Sequence, residues 1–565
     1  MTKGGVEVFG SRQNVMTMSE VVEGIKVRYA NIIRKWQKKG KISEEDSIPA
    51  FFLFGPPGIG KTMQIYQLAA ELARMSGRQL VTFKDVAQNL ALGEKLLKES
   101  EDKYFFLMEL DLTKVEPTDF GIPNVLRGGS DEHKTFEVYY PVWVRLLNRY
   151  PGILFIDEIT NVQRDDVITA AYKIIDQKLI RDVGLHPGVL VVCAGNTEED
   201  SFIVRSLPLP LYNRAETYLV IPPTEMEWCD YMINKYQDDE VPGDVIAFLS
   251  SFVREFYVKN RGALAQFEEL PVYQRMITTP RSLEYLVKGI RDYELWKIVD
   301  VKELKKTLKY LSGYIQPEHF VLFCIFMEKR NNMVKLLESE NIDRSTKIAA
   351  LTYLGEELKE IYKANSFSEV EDRYLIPVND LGKYLKKLSD ERELLGFLTA
   401  GARLMTKDTS VEESIRFVYF LIEVMNGKGV EEAKKLAKES KELMFKWDEV
   451  IKEMMQEETG RKKDRDYISN IEKWLESSAK TEEARAVCDK LWTYLSNKIF
   501  NRLWEIVNVY AKLSTGCGFS KVVEELKRIE CLSDEDVEKI KGVFELVERR
   551  VKESVRKASY NITKN

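Results

Sequence analysis

The stretch that decides how this chain reads runs from Ala50 to Thr62: the apolar run AFFLF over 50–54, then Gly55-Pro56-Pro57-Gly58-Ile59-Gly60-Lys61-Thr62. The Phe-rich run predicts a strand and the MQIYQLAAELARM that follows predicts a helix, so G-x-x-x-x-G-K-[ST] sits at a strand-to-helix turn. Glycines there let backbone N–H groups curl around phosphate oxygens, and the helix N-terminus adds partial positive charge. Lys61 can reach the β and γ phosphates and Thr62 can ligate Mg²⁺. The ligands to expect are ATP and Mg²⁺, held by Gly55, Pro56, Pro57, Gly58, Ile59, Gly60, Lys61 and Thr62.

Two further apolar runs end in polar side chains. Gly152-Ile-Leu-Phe-Ile-Asp157-Glu158 closes on two carboxylates, of which Asp157 is expected to take the metal and Glu158 to act as general base toward a water. Val189-Leu-Val-Val-Cys-Ala-Gly195-Asn196 closes on an amide that can orient the attacking water or touch the γ-phosphate. With YFFLMEL and TYLVI, these runs alternate with helical stretches, the pattern of a mostly parallel sheet covered by helices. The expected fold is therefore α/β over residues 46–223, preceded by a helical segment over 1–45 whose helix runs from Met18 to Lys39. After Pro222-Pro223 the period is helical. We expect a helical lid over 224–316, then, beyond Pro317, a mostly α C-terminal domain over 317–565, where Ser410 with Glu413 forms a capping box and Asn426-Gly427 a stop.

The motifs, in this order and with Asn196 as the polar strand-end residue, resemble the AAA+ ATPases. MELDLTKVEPTDFGIP, YYPVWVRLL, PGILFIDEIT, AAYKIIDQKLI, AGNTEEDS and SLPLPLYNRAE resemble the MoxR-like branch in particular, from Pro49 to about Tyr293. The resemblance implies an AAA+ P-loop fold that hydrolyses ATP at the subunit interfaces of a homo-oligomeric ring, a hexamer. It also implies chaperone-like remodelling of a protein client or adaptor, with von Willebrand A-domain proteins as candidates, and recognition by the C-terminal helices. It places Arg214, in SLPLPLYNRAE, at the arginine finger that enters a neighbour's site and Arg281, in TTPRSLEYL, at the second sensor. Relatives carry Phe after the finger, but here Ala215 follows, so Arg205 competes for the role. Phe120 and Gly121 fall where the family inserts an element near its central pore, and Phe120 either grips substrate or packs beneath that insert.

The 565 residues, with 84 Lys and Arg against 90 Asp and Glu, carry a net charge of −6 and no global field to attract nucleic acid. The basic clusters Arg34–Lys41, with Trp36 among them, and Arg549–Lys557 are the only sequence support for a nucleic-acid motor or loader. A nucleotide-switched scaffold with slow turnover is the other alternative. The six cysteines form no C-x-x-C pair and read as reduced thiols, and no apolar run is long enough to span a bilayer, so a cytoplasmic address is expected.

Overall fold

A computed structural model of the chain describes residues 15–39, 46–126, 135–198, 200, 204–236, 240–255, 257, 276–298, 300–330, 343–364, 392–404, 410–440, 461–482, 484–489, 491–493, 495–496 and 498–499. The first part is built from β1 (Val15–Thr17), α1 (Met18–Lys39), β2 (Ala50–Phe54), α2 (Lys61–Met75), β3 (Gln79–Thr82), α3 (Phe83–Gln88), α4 (Leu90–Leu96) and β4 (Tyr104–Asp111). The hairpin β5 (Ile122–Leu126) and β6 (Thr135–Tyr139) follows, then α5 (Val142–Arg149), β7 (Gly152–Asp157) and α6 (Asp165–Gln177). The short pair β8 (Leu179–Ile180) and β9 (Val183–Gly184), β10 (Val189–Gly195), α7 (Leu209–Tyr212) and β11 (Ala215–Ile221) complete it.

Seven strands form one parallel sheet in the order β1-β11-β2-β10-β7-β4-β3. The expected strands are all in it, with β1 and β3 added at its edges. Side chains alternate between two cores, as the strand period of two requires. Phe52, Phe54, Phe106, Leu154, Ile156, Val191 and Cys193 face one core with Trp143 and Leu147 of α5 and Ile174 of α6. Phe51, Leu53, Phe105, Ile153, Phe155 and Val192 face the other with Ile25 and Tyr29 of α1 and Ile65 and Leu68 of α2. A sheet apolar on both faces must be covered on both, and this is why its strands read as continuous apolar runs. Gly152 at the start of β7 admits no side chain, since a Cβ there would lie 2.0 Å from the Phe106 carbonyl oxygen.

The architecture is thus an α/β fold, a parallel sheet covered by helices on both faces, with a helical remainder among the described residues. The chain divides into two compact units, one of residues 1–224, 253–285 and 313–316, the other of 225–252, 286–312 and 317–565. Most of the residues expected in a lid over 224–316 therefore group with the chain beyond 317. Buried contacts explain why: Asp244 is fully buried and forms a two-pronged ion pair with Arg330 (2.6 and 2.8 Å), and Gly243 abuts the Glu356 side chain. Within that second unit the helices Arg344–Lys363 and Arg392–Gly401 meet closely, because a Cβ on Gly355 or Gly401 would strike the opposite backbone at about 2 Å. Ser410 caps Val411–Met425, its hydroxyl accepting from the Glu413 N–H at 3.0 Å, which is the serine half of the expected box; the Glu413 carboxylate pairs instead with Lys359 at 3.3 Å.

Among the described residues no helix is long and apolar enough to cross a membrane. Cys193, Cys229, Cys324 and Cys488 are free thiols, whereas Cys517, Cys531, His133 and the Arg549–Lys557 cluster lie outside the described residues. Phe120 is buried and packs edge-on against Trp143 at 6.4 Å, the packing alternative rather than an exposed grip.

Trp36, the aromatic of the first basic cluster, is enclosed between the Arg78 guanidinium, 3.7 Å from its ring centroid, and the His186 ring at 5.7 Å. His186 Nδ1 accepts from the Gly188 N–H at 3.0 Å, so the imidazole is held neutral. Burial, then the Arg78 and Lys178 charges, push it down to about 4 from its ordinary 6.5. The unfolded chain therefore binds more protons between those values, and this site's contribution to stability is lost as pH falls through that window. Urea midpoints measured near the two ends, about pH 7 and about pH 4.5, should differ less in His186→Gln than in the parent.

Candidate active site

The strand order does the assembling. β10 lies between β2 and β7, so the loop after β2, the acidic end of β7 and the polar end of β10 emerge side by side at one sheet edge. Gly55 can follow β2 because nothing larger fits: a Cβ would stand 2.2 Å from the Val220 carbonyl oxygen. Its N–H donates to the Gly195 carbonyl at 3.2 Å, which ties the loop to β10. Gly58 and Gly60 take φ values of 77° and 93°, the left-handed region that only glycine enters without strain.

Lys61 opens α2 and is buried beneath the loop. Its Nζ donates to the Gly55 carbonyl at 2.6 Å, the Pro56 carbonyl at 3.1 Å and Asn196 Oδ1 at 3.3 Å. Burial lowers it to about 8, opposed by the charges of Asp157, Asp200 and Glu158. The Thr62 hydroxyl donates to Asp157 Oδ2 at 3.0 Å across β10. The structure therefore brings together Lys61, Thr62, Asp157 and Asn196, which are far apart in sequence.

Glu158 follows with φ 57°, a conformation that costs a non-glycine residue energy and is kept only where the surroundings impose it. The turn is set by its own N–H, which donates to Asp157 Oδ1 at 3.0 Å. Burial, then the Asp157 charge beside it, hold its carboxyl above the ordinary range, which makes it a better proton acceptor than an exposed glutamate. Burial raises Asp157 as well.

Arg281 is placed at the loop by its backbone: its N–H donates to the Gly58 carbonyl at 3.1 Å, and its charge acts on Lys61. Thr279 caps the helix Pro280–Asp292 reciprocally with Ser282, its Oγ1 accepting from the Ser282 N–H at 3.0 Å and its own N–H donating to Ser282 Oγ at 2.8 Å. The side chains of Arg214 and Arg205 make no direct contact with this group among the described residues; they dock on α6, paired with Asp176 and Asp165, while the Arg205 N–H donates to the Thr160 carbonyl at 2.7 Å.

Three participants escape the motifs. Tyr257 donates its hydroxyl to the Pro57 carbonyl at 3.0 Å, bracing the loop from the segment that also supplies Thr279. Asn161 donates its amide to the Glu158 carboxylate, while its own Oδ1 is buried without a partner among the described residues. Asp200 accepts from the Thr197 N–H and hydroxyl at 3.0 and 2.7 Å and lends negative charge to Lys61. A polar residue soon after the acidic pair was the only available sign of Asn161, and Tyr257, 200 positions from its partner, had none.

No protein-family model matches the chain, and no curated protein matches it. Among solved structures, a point mutant of Thermotoga maritima RuvB is similar at 16% identity over 65% of this chain and 84% of that one, with a TM-score of 0.27. The C. elegans protein PCH-2 is similar at 16% identity over 56% of this chain and 69% of that one, with a TM-score of 0.23.

A methyl group at position 58 would combine an unfavourable φ with a clash, 2.8 Å from Thr279 Oγ1. Gly58→Ala should therefore displace the loop, destabilise the protein by roughly 1–3 kcal/mol and weaken ATP binding about tenfold or more. Thermal unfolding and a fluorescent-nucleotide titration measure the two effects.

Proposed function

We infer that this chain is an ATPase that binds ATP with Mg²⁺ and hydrolyses it at the interfaces of a ring built from copies of itself. The observation that carries the reading is the 3.0 Å contact between Thr62 Oγ1 and Asp157 Oδ2 beside the buried Lys61. A hydroxyl and a carboxylate oxygen this close, at the mouth of a phosphate loop, are the hard donors that Mg²⁺ selects. Mg²⁺, when bound, neutralises charge on the phosphate oxygens.

The chain's own groups divide the remaining work. The loop N–H groups and Lys61 hold the β and γ phosphates, with the ammonium already aimed along the loop by two of its carbonyls. Glu158 takes the proton of the attacking water. Asn196, whose N–H donates to Thr160 Oγ1 at 3.0 Å and whose Oδ1 accepts from Lys61, would orient the attacking water or touch the γ-phosphate. Arg281 acts on the nucleotide of its own chain and Arg214 on that of the neighbour. The assembly is a MoxR-like hexamer that remodels a protein client or adaptor, bound by residues beyond 317. No feature of the described residues favours the nucleic-acid reading: Trp36 is packed, and Lys35 pairs with Asp46 at 2.8 Å.

Two variants separate binding from chemistry. Lys61→Ala should lose nucleotide binding, because the phosphates lose the cation beneath the loop. Glu158→Gln should bind ATP with parental affinity and turn it over about 10²-fold more slowly or worse. Equilibrium titration and steady-state turnover read the two outcomes; parental turnover by Glu158→Gln would remove the general-base assignment.

A further inference from the structure

Both arginines set apart from the loop dock on one face of α6. Asp165, Tyr172 and Asp176 recur at helical spacing, so they line a single stripe. Arg205 has one partner on it, Asp165, at 2.6 Å, with both side chains well exposed. Arg214 is held by more. It forms an ion pair with Asp176, Nε to Oδ1 2.9 Å, its Nη1 donates to the Tyr172 hydroxyl, and its guanidinium carbon lies 4.7 Å from the Tyr172 ring centroid. Nη2 has no partner among the described residues.

The backbone is fixed on both sides of Arg214. Its N–H donates to the Leu211 carbonyl at 3.0 Å, and Ala215, the next residue, pairs with Ala50 in the sheet. The stem of a long, flexible side chain is thus held by one hydrogen bond, one ion pair and a ring face while an end is left open. An arginine that must meet charge developing in another subunit needs this arrangement, because a loosely held guanidinium would spend most of its time elsewhere.

We propose that Tyr172 and Asp176 form a cradle on α6 that holds Arg214 in the pose from which it enters the neighbouring subunit's site. Both are positioning residues; neither touches the nucleotide. The proposal rests on the reading of Arg214 as the finger acting in trans, and it separates Arg214 from Arg205, which has no such cradle among the described residues. At side-chain exposures of 37% and 27% the Arg214–Asp176 pair adds little to stability, so its role is geometric.

The test uses full-length chains in mixed rings. Asp176→Asn alone should leave the unfolding temperature and ATP affinity unchanged, hold KM for ATP within about twofold and lower kcat about tenfold. Mixing Arg214→Ala with Lys61→Ala should restore part of the activity, since intact pockets then sit beside intact fingers. Restoration should fall when Asp176→Asn is added to the Lys61→Ala chain, which donates the finger. It should be unaffected when Asp176→Asn is added to the Arg214→Ala chain, which has no finger to hold. Tyr172→Leu should repeat this asymmetry. Equal restoration in the two arms, loss in the arm without a finger, or a higher kcat for Asp176→Asn would overturn the cradle while leaving the finger in place. No restoration in the parent mixture, with subunits shown to exchange, would overturn the finger itself and the cradle with it.

Discussion

Everything proposed for this protein depends on the ammonium of Lys61 being buried under a glycine loop. A lysine there is costly, and burial drives it down to about 8. It is tolerated because two loop carbonyls and the Asn196 amide oxygen accept from it, and because Asp157, Glu158 and Asp200 surround it with negative charge. Those groups come from the ends of β7 and β10 and from the turn after β10, so the site cannot exist without the strand order that sets β10 between β2 and β7. The fold and the chemistry are the same constraint seen at two scales.

The loop is also braced from segments distant in sequence. Tyr257 and the start of the helix Pro280–Asp292 hold the Pro57 and Gly58 carbonyls, and Gly58 has no room for a side chain because Thr279 lies against it. A change in the loop on binding phosphate would therefore be felt at the N-terminus of that helix. On the other side of the chemistry, α6 carries the acids that pair with both arginine candidates. The carboxylates of β7 and the arginines are thus linked through one short stretch of chain, from Asp157 to Asp176.

Much of this was legible beforehand, and for a physical reason. A parallel sheet covered on both faces writes each of its central strands as an unbroken apolar run, and phosphate binding by backbone requires glycines at fixed spacing. So AFFLF, GILFI and VLVVCAG could be read, together with the polar residues that end them. The helix Val411–Met425 was equally clear from its cap. What escaped lies where local sequence carries little signal. β1 and β3 are short edge strands, and the antiparallel strands Ile122–Leu126 and Thr135–Tyr139 form by pairing rather than by composition. The apolar period after Pro223 showed helices but not their partners; the pairing of Asp244 with Arg330 is tertiary, and it moves helices expected in a lid into the second unit. Tyr257 and the α6 cradle are contacts across long separations, and a single sequence holds no record of them.

The central claim is that the loop and the β7 carboxylates make one Mg²⁺-nucleotide site. It is tested most directly by ATP turnover as a function of Mg²⁺ concentration in the parent and in Asp157→Asn, whose shape is nearly unchanged. The expected result is a parent that saturates with Mg²⁺ and an Asp157→Asn chain that still binds ATP but turns it over slowly and only at much higher Mg²⁺. Identical Mg²⁺ dependence and turnover in the two chains would contradict it.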